Sequence, residues 1–564
     1  MDLNNTKTIK YATLGNGLTP IFDTEADEVL ISISSPLLIL VEKEALDKVC
    51  SYCFVPKQNA DLKRCNGCKV PRYCSTACQK VDWALIHQKE CSILKKMPGV
   101  PPTAVRGLIQ LCLRNAHPPG LDTDWVGLEG HLNELRQSSR WDQISLQSTA
   151  AVEYSKSPKN WVEWTTNLLC RVSLSHSIYM SILLMTLQMS TNAFRVALPD
   201  QTPIGICFSP ALALANHSCS PNAAISFSGR TISLRSLNKI KSGEQIFISY
   251  IDPVQARETR RAELKERYFF TCECDVCKKN ENPYQTFLRT LSSLPAGTDK
   301  NFGIWWESEK LKDHAGDCKS NAKDITNATV LLKVSSNIRT LVEESRVTND
   351  PAERFKKLKE ALRFIRAFAR LQTYAIIPLP MIVNELYLHH VDTGAYVEAL
   401  ILMLFLSMHC DPFTYPQPTH PVRILHLYTI AKLLKHIASL DTDELLPPDS
   451  TPFNEDQRQT IRNIDYVSAV QVFLILVKEL AVKDGRFMKE VEEELVDVET
   501  VQKERNGGGA GLELRRWMVQ GSMAVEGKLM AETVVGGLRD LVGFVGRVIE
   551  ELDAGGEDQG ENSK

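Results

Sequence analysis

Seven cysteines and one histidine between positions 50 and 91 are spaced for metal chemistry: Cys50-x2-Cys53, Cys65-x2-Cys68, Cys74-x3-Cys78 and His87-x3-Cys91. Each pair closes a short loop that offers two soft donors to one tetrahedral Zn²⁺. Two pairs complete a site, so eight ligands make two zincs. Cysteines packed merely as small hydrophobes would not recur at ligand spacing, and other cross-brace fingers differ in spacing and in histidine position. A segment this short buries too little to fold without its metals, and it reads as a recognition module. Further along, Asn216-His217-Ser218-Cys219-Ser220-Pro221-Asn222 is followed by Gly243-Glu244-Gln245-Ile246-Phe247-Ile248-Ser249-Tyr250 and then by Cys272-x-Cys274-x2-Cys277. The last motif supplies three ligands where a structural zinc wants four.

The elements that must position these residues belong to a chain of 564 residues, long enough for three or four domains. Hydrophobic residues at 43% and charged residues at 24% are ordinary globular values. The net charge of −3 gives no whole-protein footprint for nucleic acid, so no nucleic-acid partner is expected and any such contact would have to be a local patch. Met1 to Lys10 is polar without an apolar h-region, and the apolar stretch 399–408 is too short to span a bilayer. A soluble intracellular protein with no membrane partner is expected. Many of the sixteen cysteines sit at metal spacing, which favours zinc-bound thiolates over disulfides; Cys112, Cys170, Cys207, Cys318 and Cys410 read as buried thiols.

Residues 10–46 read as short strands, with Val29, Ile31 and Ile33 alternating with Leu30, Ser32 and Ser34 until Pro36 ends the run. Residues 102–190 read as helical, with Leu168, Val172, Tyr179, Ile182 and Leu183 on one face. Strands return from 200 to 251: Ala224 to Phe227, a Gly229-Arg230 turn, Thr231 to Leu234, and Ile246 to Tyr250. The charged run from Arg257 to Arg267 reads as a solvated helix face. Beyond 325 helix follows helix, and 379–391 with 395–409, joined by Asp392-Thr393-Gly394, form a tetratricopeptide-type unit. Prolines 412, 416 and 418 predict a break after Asp411. The stretch Asn506 to Gly511 reads as a flexible loop and 553–564 as a disordered acidic tail.

The gaps of eleven, five and eight residues between the four ligand pairs resemble those of the MYND zinc finger, and the three later blocks resemble, in order, the signatures of a SET-domain lysine methyltransferase. A SET domain split by a MYND finger, with a helical C-terminal region, is similar to the SET and MYND domain protein family over residues 10–440. The resemblance implies an α+β fold: a SET β-fold core split by the finger, a helical insert, a post-SET zinc site and a tetratricopeptide-like α-helical C-terminal domain. The corresponding bounds are the SET N-terminal part at 1–48, the MYND finger at 49–91, the helical insert at 92–190, the SET catalytic core at 191–252, the post-SET zinc region at 253–285, the helical C-terminal domain at 286–552 and the tail at 553–564. It also implies three Zn²⁺. In the family the finger sites interleave, so Cys50, Cys53, Cys74 and Cys78 share one metal while Cys65, Cys68, His87 and Cys91 share the other. Cys219 then completes the third site with Cys272, Cys274 and Cys277.

The activity implied is S-adenosylmethionine-dependent protein-lysine N-methyl transfer to a histone or non-histone protein. In the family the loop Leu14-Gly15-Asn16-Gly17-Leu18 binds the methionine part of the cofactor, where glycine lets backbone amides approach a ligand closely. Asn216 would contribute its side-chain amide, His217 its backbone, and Asn192, in Thr191-Asn192-Ala193-Phe194, would meet the carboxylate end. His131 matches a family histidine, with Gly130 where serine is usual. Tyr268 and Phe270 match aromatic positions that wall the adenine and the lysine channel. Tyr250, also at the cofactor, is the catalytic candidate: in-line displacement needs alignment and a neutral amine, and a tyrosine hydroxyl at the channel's inner end can orient that amine. Trp83 is either core or part of a groove for a proline-rich peptide. A monomer in nucleus and cytoplasm is expected. Gln245 stands where the family has glutamate, and Thr19-Pro20 where it has Arg-Ala. These departures keep a second reading in view, a non-catalytic adaptor or transcriptional co-regulator scaffold.

Overall fold

The computed structural model describes residues 5–11, 14–57, 62–115, 128–154, 178–198, 203–291, 308–326, 329–348, 350–363, 372–446, 452–481, 486–506, 513–516, 525–546 and 548. The expected loop at 507–511, the expected tail, Leu168, Val172 and Cys170 lie outside the described residues. The chain divides into two units, residues 1–252 with 258–272, and 253–257 with 273–564. It mixes strands and helices in an α+β fold.

In the first unit β1 (Thr6–Tyr11) and β2 (Gly15–Pro20) pair as an antiparallel hairpin. Gly15 already pairs with Tyr11 and Leu18 is fully buried, so most of the expected glycine loop is strand, ordered by the ladder that β1 offers. β3 (Val29–Ile33) and β4 (Leu38–Val41) follow as short strands, but without the expected alternation: Val29 is exposed while Leu30 and Ile31 are both buried, and β4 is buried throughout. The finger inserts β5 (Lys63–Arg64) and β6 (Arg72–Tyr73). After the helical insert come β7 (Phe194–Ala197), β8 (Pro203–Phe208), β9 (Asn216–His217), β10 (Ala223–Ser228), β11 (Thr231–Ser236) and β12 (Phe247–Ile248). They form two three-stranded sheets, β10-β11-β3 and β4-β8-β7, and one parallel pair, β12-β9. The expected strand from Ile246 to Tyr250 is shorter than its pattern, because β9 offers only two residues for pairing.

The finger is not a bead on a tether. Its Cys50, Phe54, Leu62, Cys65, Val70 and Tyr73 share one buried cluster with Leu18, Leu30, Ile31 and Ile232 of the sheets. Gly229, at the tight turn between β10 and β11, takes φ +58°, and a Cβ there would lie 2.8 Å from the Cys53 carbonyl oxygen, so the hairpin tip packs onto the first zinc knuckle. Arg230 beside it places its guanidinium 4.9 Å from the Tyr52 ring centre. The finger's core is thus continuous with that of the sheets.

The insert is helical at Thr103–Asn115, Leu132–Arg136, Trp141–Tyr154 and Ile178–Asn192, with Ile182 and Leu183 buried as the periodicity predicts. The last of these runs two residues past the expected limit at 190, so Asn192 sits on a helix end. Helix Arg257–Tyr268 is only partly a solvated face: Glu263 and Arg267 pair at its surface, 2.8 Å apart, but Arg260 and Leu264, one turn apart, are buried.

In the second unit Leu379–Asp392 and Tyr396–Phe405 pack together as the expected helical pair. The predicted proline break comes later than Asp411. The chain passes through a π-helical turn at Leu406–Cys410 into a short helix, Asp411–Thr414, where Pro412 sits in the first turn and loses no helical hydrogen bond. The segment Tyr396–Thr414 is thereby long and apolar enough to cross a membrane by length and composition, but 83% of its most apolar window is buried inside the protein, as in a core helix. It centres a core that includes Leu400, Leu404, Ile430, Phe473 and Leu538.

Candidate active site and metal centres

Three sets of four donor atoms each lie within 4.8 Å of one another: Cys50, Cys53, Cys74 and Cys78; Cys65, Cys68, His87 and Cys91; and Cys219, Cys272, Cys274 and Cys277. The first two interleave as the resemblance implied. In the finger the β5-β6 ribbon ends at the second and third knuckles, and Ser75 caps the helix Thr76–Asp82 by accepting the Cys78 N–H at 3.1 Å, which fixes Cys78 on its first turn. Sulfur separations of 3.7 Å for Cys53 to Cys74, 3.6 Å for Cys74 to Cys78 and 3.8 Å for Cys65 to Cys91 suit thiolates around one metal. The donor sets are closed, Cys₄, Cys₃His and Cys₄, the chemistry of structural zinc.

His87 turns Nε2 toward Cys65 and Cys68, at 3.2 and 3.6 Å, while Nδ1 meets Glu90 Oε1 at 2.9 Å. Glu90 Oε2 in turn accepts from Gln110 Nε2 at 3.0 Å. A carboxylate behind a ligating imidazole fixes its tautomer and raises its basicity. The motif reading missed Glu90, although its place three residues after His87 on the same helical run was a usable signal. Glu90→Ala is expected to weaken zinc binding in this site by about 10- to 100-fold; competition with a chromogenic chelator measures it.

Among the described residues the thiols outside the clusters, Cys112, Cys207, Cys318 and Cys410, are buried as expected. Burial pushes Cys207 up to about 12 and Cys318 up to about 11, and it raises Cys112 and Cys410 as well, so these are inert thiols.

The other candidate residues converge where β9 and β12 run in parallel. Phe247 pairs with Asn216 and Ile248 with His217, which sets the Asn-His block beside the strand leading to Tyr250. Asn222 binds the same strand by accepting the Phe247 N–H at 2.8 Å and donating to the Gln245 carbonyl at 2.9 Å. The hairpin loop joins them: Asn216 Nδ2 donates to the Asn16 carbonyl at 3.0 Å, and the Ile246 N–H donates to the Leu18 carbonyl at 2.8 Å. Gly17 sits in a cradle that a side chain would fill. A Cβ there would lie 2.4 Å from Gln245 Nε2, 2.8 Å from the Tyr11 ring and 2.9 Å from Asn216 Nδ2. Among the described residues Gln245 Nε2 is buried without a hydrogen-bond partner, so polar capacity is held in reserve around this loop. Leu14, by contrast, is exposed at the hairpin end.

The His217 ring is used twice inside the protein. Nδ1 accepts the Tyr250 N–H at 3.0 Å, and Nε2 lies 3.3 Å from Cys219 Sγ, which couples the third cysteine cluster to the backbone of Tyr250. The Tyr250 hydroxyl donates to the Ala215 carbonyl at 2.7 Å, and burial raises its pKa well above the ordinary tyrosine value. Its ring centre lies 4.8 Å from that of Tyr268 and 5.3 Å from that of His217, and Phe270 stands 5.9 Å from His217. Asn192 Nδ2 donates to the Glu129 carbonyl at 2.8 Å, in the loop that leads to His131. The His131 ring meets Phe269, 5.2 Å away, rather than Tyr268 or Phe270. Both partners take left-handed backbone, φ +49° and +60°, an uncommon state for aromatic side chains. Phe269 escaped the motif reading because a single aromatic between two matched positions carries no spacing signal.

Residues 50–91 match the family model for the MYND finger. This segment is a MYND finger. The chain is 32% identical over 252 residues to SET domain and MYND-type zinc finger protein 6 of Schizosaccharomyces pombe, covering 44% of this chain and 47% of that protein. It is 30% identical over 282 residues to histone-lysine N-methyltransferase SMYD3 of Homo sapiens, covering 49% and 62%, and 29% identical over 290 residues to N-lysine methyltransferase SMYD2 of Homo sapiens, covering 50% and 62%. The chain thus resembles the SET and MYND domain proteins, and the matched stretch spans about half the length of these relatives.

Proposed function

We propose that this MYND-finger protein is an S-adenosylmethionine-dependent protein-lysine N-methyltransferase. The observation that carries the reading is the parallel β9-β12 pair, which gathers Asn216, His217, Tyr250 and the Asn16-Gly17 loop at one place. The names of the relatives, two of which are lysine methyltransferases, support it. The cradle at Gly17, the Asn216 amide and the reserve at Gln245 Nε2 fit a small polar ligand held by backbone and amide groups. Leu14 to Gly17, His131, Asn192, Asn216, His217, Tyr250, Tyr268 and Phe270 would hold the cofactor, with His217 acting through its main chain because its ring is already engaged.

When bound, S-adenosylmethionine supplies an electrophilic methyl group and a sulfonium charge that lowers the pKa of an approaching ammonium. Tyr250 does the positioning. Its only proton goes to the Ala215 carbonyl, which leaves the oxygen lone pairs to accept an N–H of the substrate amine and to aim the nitrogen lone pair. With its pKa raised by burial, the phenol stays neutral at physiological pH and is no general base; water suffices to take the amine's proton. The aromatic walls, Tyr250 with Tyr268 and Phe270 with His217, exclude bulk water and favour a cationic side chain by their π faces. Three zincs serve as structure, two in the finger and one beside His217.

Titration calorimetry with S-adenosylmethionine tests the cofactor site. Binding to the wild-type protein and its loss in Gly17→Ala, with unchanged zinc content, is expected; equal binding by both would remove the assignment. The finger's exposed Val81, Trp83 and Leu85 favour a docked peptide, and we assign them to a proline-rich partner. Trp83→Ala is expected to lower the affinity for a proline-rich peptide by about tenfold, roughly the contribution of one interface aromatic, while peptide methylation is unchanged; loss of zinc would instead make Trp83 structural, through its edge contact with His87.

A further inference from the structure

The turn between the helices Leu132–Arg136 and Trp141–Tyr154 reads Arg136-Gln137-Ser138-Ser139-Arg140. Its two serines differ. The Ser138 hydroxyl is engaged, donating to the Leu135 carbonyl at 2.8 Å and accepting the Arg140 N–H at 3.3 Å. Ser139 is exposed and its hydroxyl takes part in neither bond, so its oxygen is open to an outside phosphorus. Arg136 precedes Ser139 by three residues and Arg140 follows it directly. Arg136 is exposed, with its guanidinium 5.6 Å from the Trp141 ring centre. Among the described residues neither arginine has a carboxylate within 4.0 Å, whereas Arg267 pairs with Glu263. Glu134 and Asp142 share the stretch, and Glu266 acts on Arg140 only at longer range.

Arg140 fastens this turn to the segment that carries the aromatic walls. Its Nη1 donates to the Arg267 carbonyl, at the end of helix Arg257–Tyr268, over a long 3.4 Å. Burial and the Arg267 charge lower the Arg140 pKa, so the clasp holds a cation beside a like charge. Two residues further on, Phe269 meets the His131 ring and packs on the cluster of Leu135, Ile144, Leu183 and Leu187. Its N–H donates to the Lys265 carbonyl at 3.2 Å, which makes it a protected reporter of this segment.

We propose that Ser139 is a phosphorylation site for an arginine-directed serine kinase, and that its phosphate draws Arg140 off the Arg267 carbonyl. Ser139 Oγ attacks the γ-phosphorus of MgATP: the Oγ–P bond forms as the bond from that phosphorus to the β–γ bridging oxygen breaks, ADP leaves, and the hydroxyl proton passes to the catalytic aspartate of the kinase. A helix of five residues costs little to extend, so the turn can enter a kinase cleft. Once attached, the phosphate carries a charge of about −1.5 to −2 at pH 7 beside two guanidiniums. Charge-assisted bonds to it are about twice as strong as the bond to a neutral carbonyl, so Arg140 changes partner and the chain at Tyr268 and Phe269 loosens.

The test incubates the full-length zinc-loaded protein with MgATP and the constitutively active catalytic domain of a calmodulin-dependent kinase, a class that selects arginine three residues before the serine. Mass spectrometry places the phosphate, and hydrogen exchange in peptides covering 265–271 reads Phe269. Phosphate is expected on Ser139 of the folded chain, absent in Ser139→Ala and incorporated at least about tenfold more slowly in Arg136→Ala. Exchange at 268–270 is expected to quicken at least about fivefold on phosphorylation. Arg140→Gln should reach that level unmodified, with nothing added by the phosphate, because both act through one bond. If Arg140→Gln lowers the melting temperature, Arg140→Lys is read in its place. No phosphate on Ser139 of the folded protein, even where a peptide of residues 132–145 accepts it, overturns the site. Phosphate with unchanged or slower exchange at Phe269 overturns the release of the clasp.

Discussion

Tyr250→Phe is expected to lower methyl-transfer turnover by about 100-fold, the usual value of one hydrogen bond that acts on a transition state. The ring remains, so its packing against Tyr268 and His217 remains, and so does the backbone N–H that His217 accepts. What disappears is the oxygen held in place by the Ala215 carbonyl. Affinity for S-adenosylmethionine should therefore change by less than about threefold, since no bond to the cofactor is ascribed to that hydroxyl. Single-turnover kinetics with calorimetry separates the two quantities. A fall in both together would mean that Tyr250 shapes the pocket and does not orient the amine.

Cys272→Ser and Cys65→Ser are expected to fail differently. The first removes one zinc of three and, through Cys219 and His217, releases the backbone at Tyr250, so metal content drops by one and turnover falls by at least about tenfold. The second empties a finger site whose Cys65 lies in the same buried cluster as Leu18 and Ile232. Because structural zinc contributes folding energy outright, that loss should lower the melting temperature of the whole β core by more than about 5 °C. Metal analysis by inductively coupled plasma mass spectrometry, paired with thermal melting, reads both. Unchanged melting in Cys65→Ser would restore the picture of a finger that folds apart from the sheets.

The metal centres were the most legible part of the sequence, because ligand spacing is local chemistry and each knuckle closes within a few residues. The resemblance then supplied the interleaving and the distant Cys219, and the donor atoms gather accordingly. The β10-β11 hairpin was equally legible, since Gly229-Arg230 punctuates two alternating runs. What the sequence did not reveal were contacts made across long separations. Nothing local to Gly15-Asn16-Gly17 says that it becomes strand, because the order comes from β1. Nothing local to Cys53 says that Gly229 packs against it, so the finger's continuity with the sheets was not legible. Gln245 stood out only as a departure from a family pattern, and its amide turns out to crowd Gly17. The π-helical turn at Leu406–Cys410 carried the helix past an expected proline stop because Pro412 found a first-turn position.

The central claim is transfer of a methyl group to lysine at Tyr250, and one measurement reaches it most directly. Wild-type and Tyr250→Phe proteins, each loaded with zinc, are incubated with methyl-labelled S-adenosylmethionine and a cell extract, and labelled residues are identified by mass spectrometry. The account predicts label on lysine ε-nitrogens with the wild-type protein and about 100-fold less with the variant. Label equal in the two, or none with a wild-type protein that binds the cofactor, would contradict it and favour the adaptor.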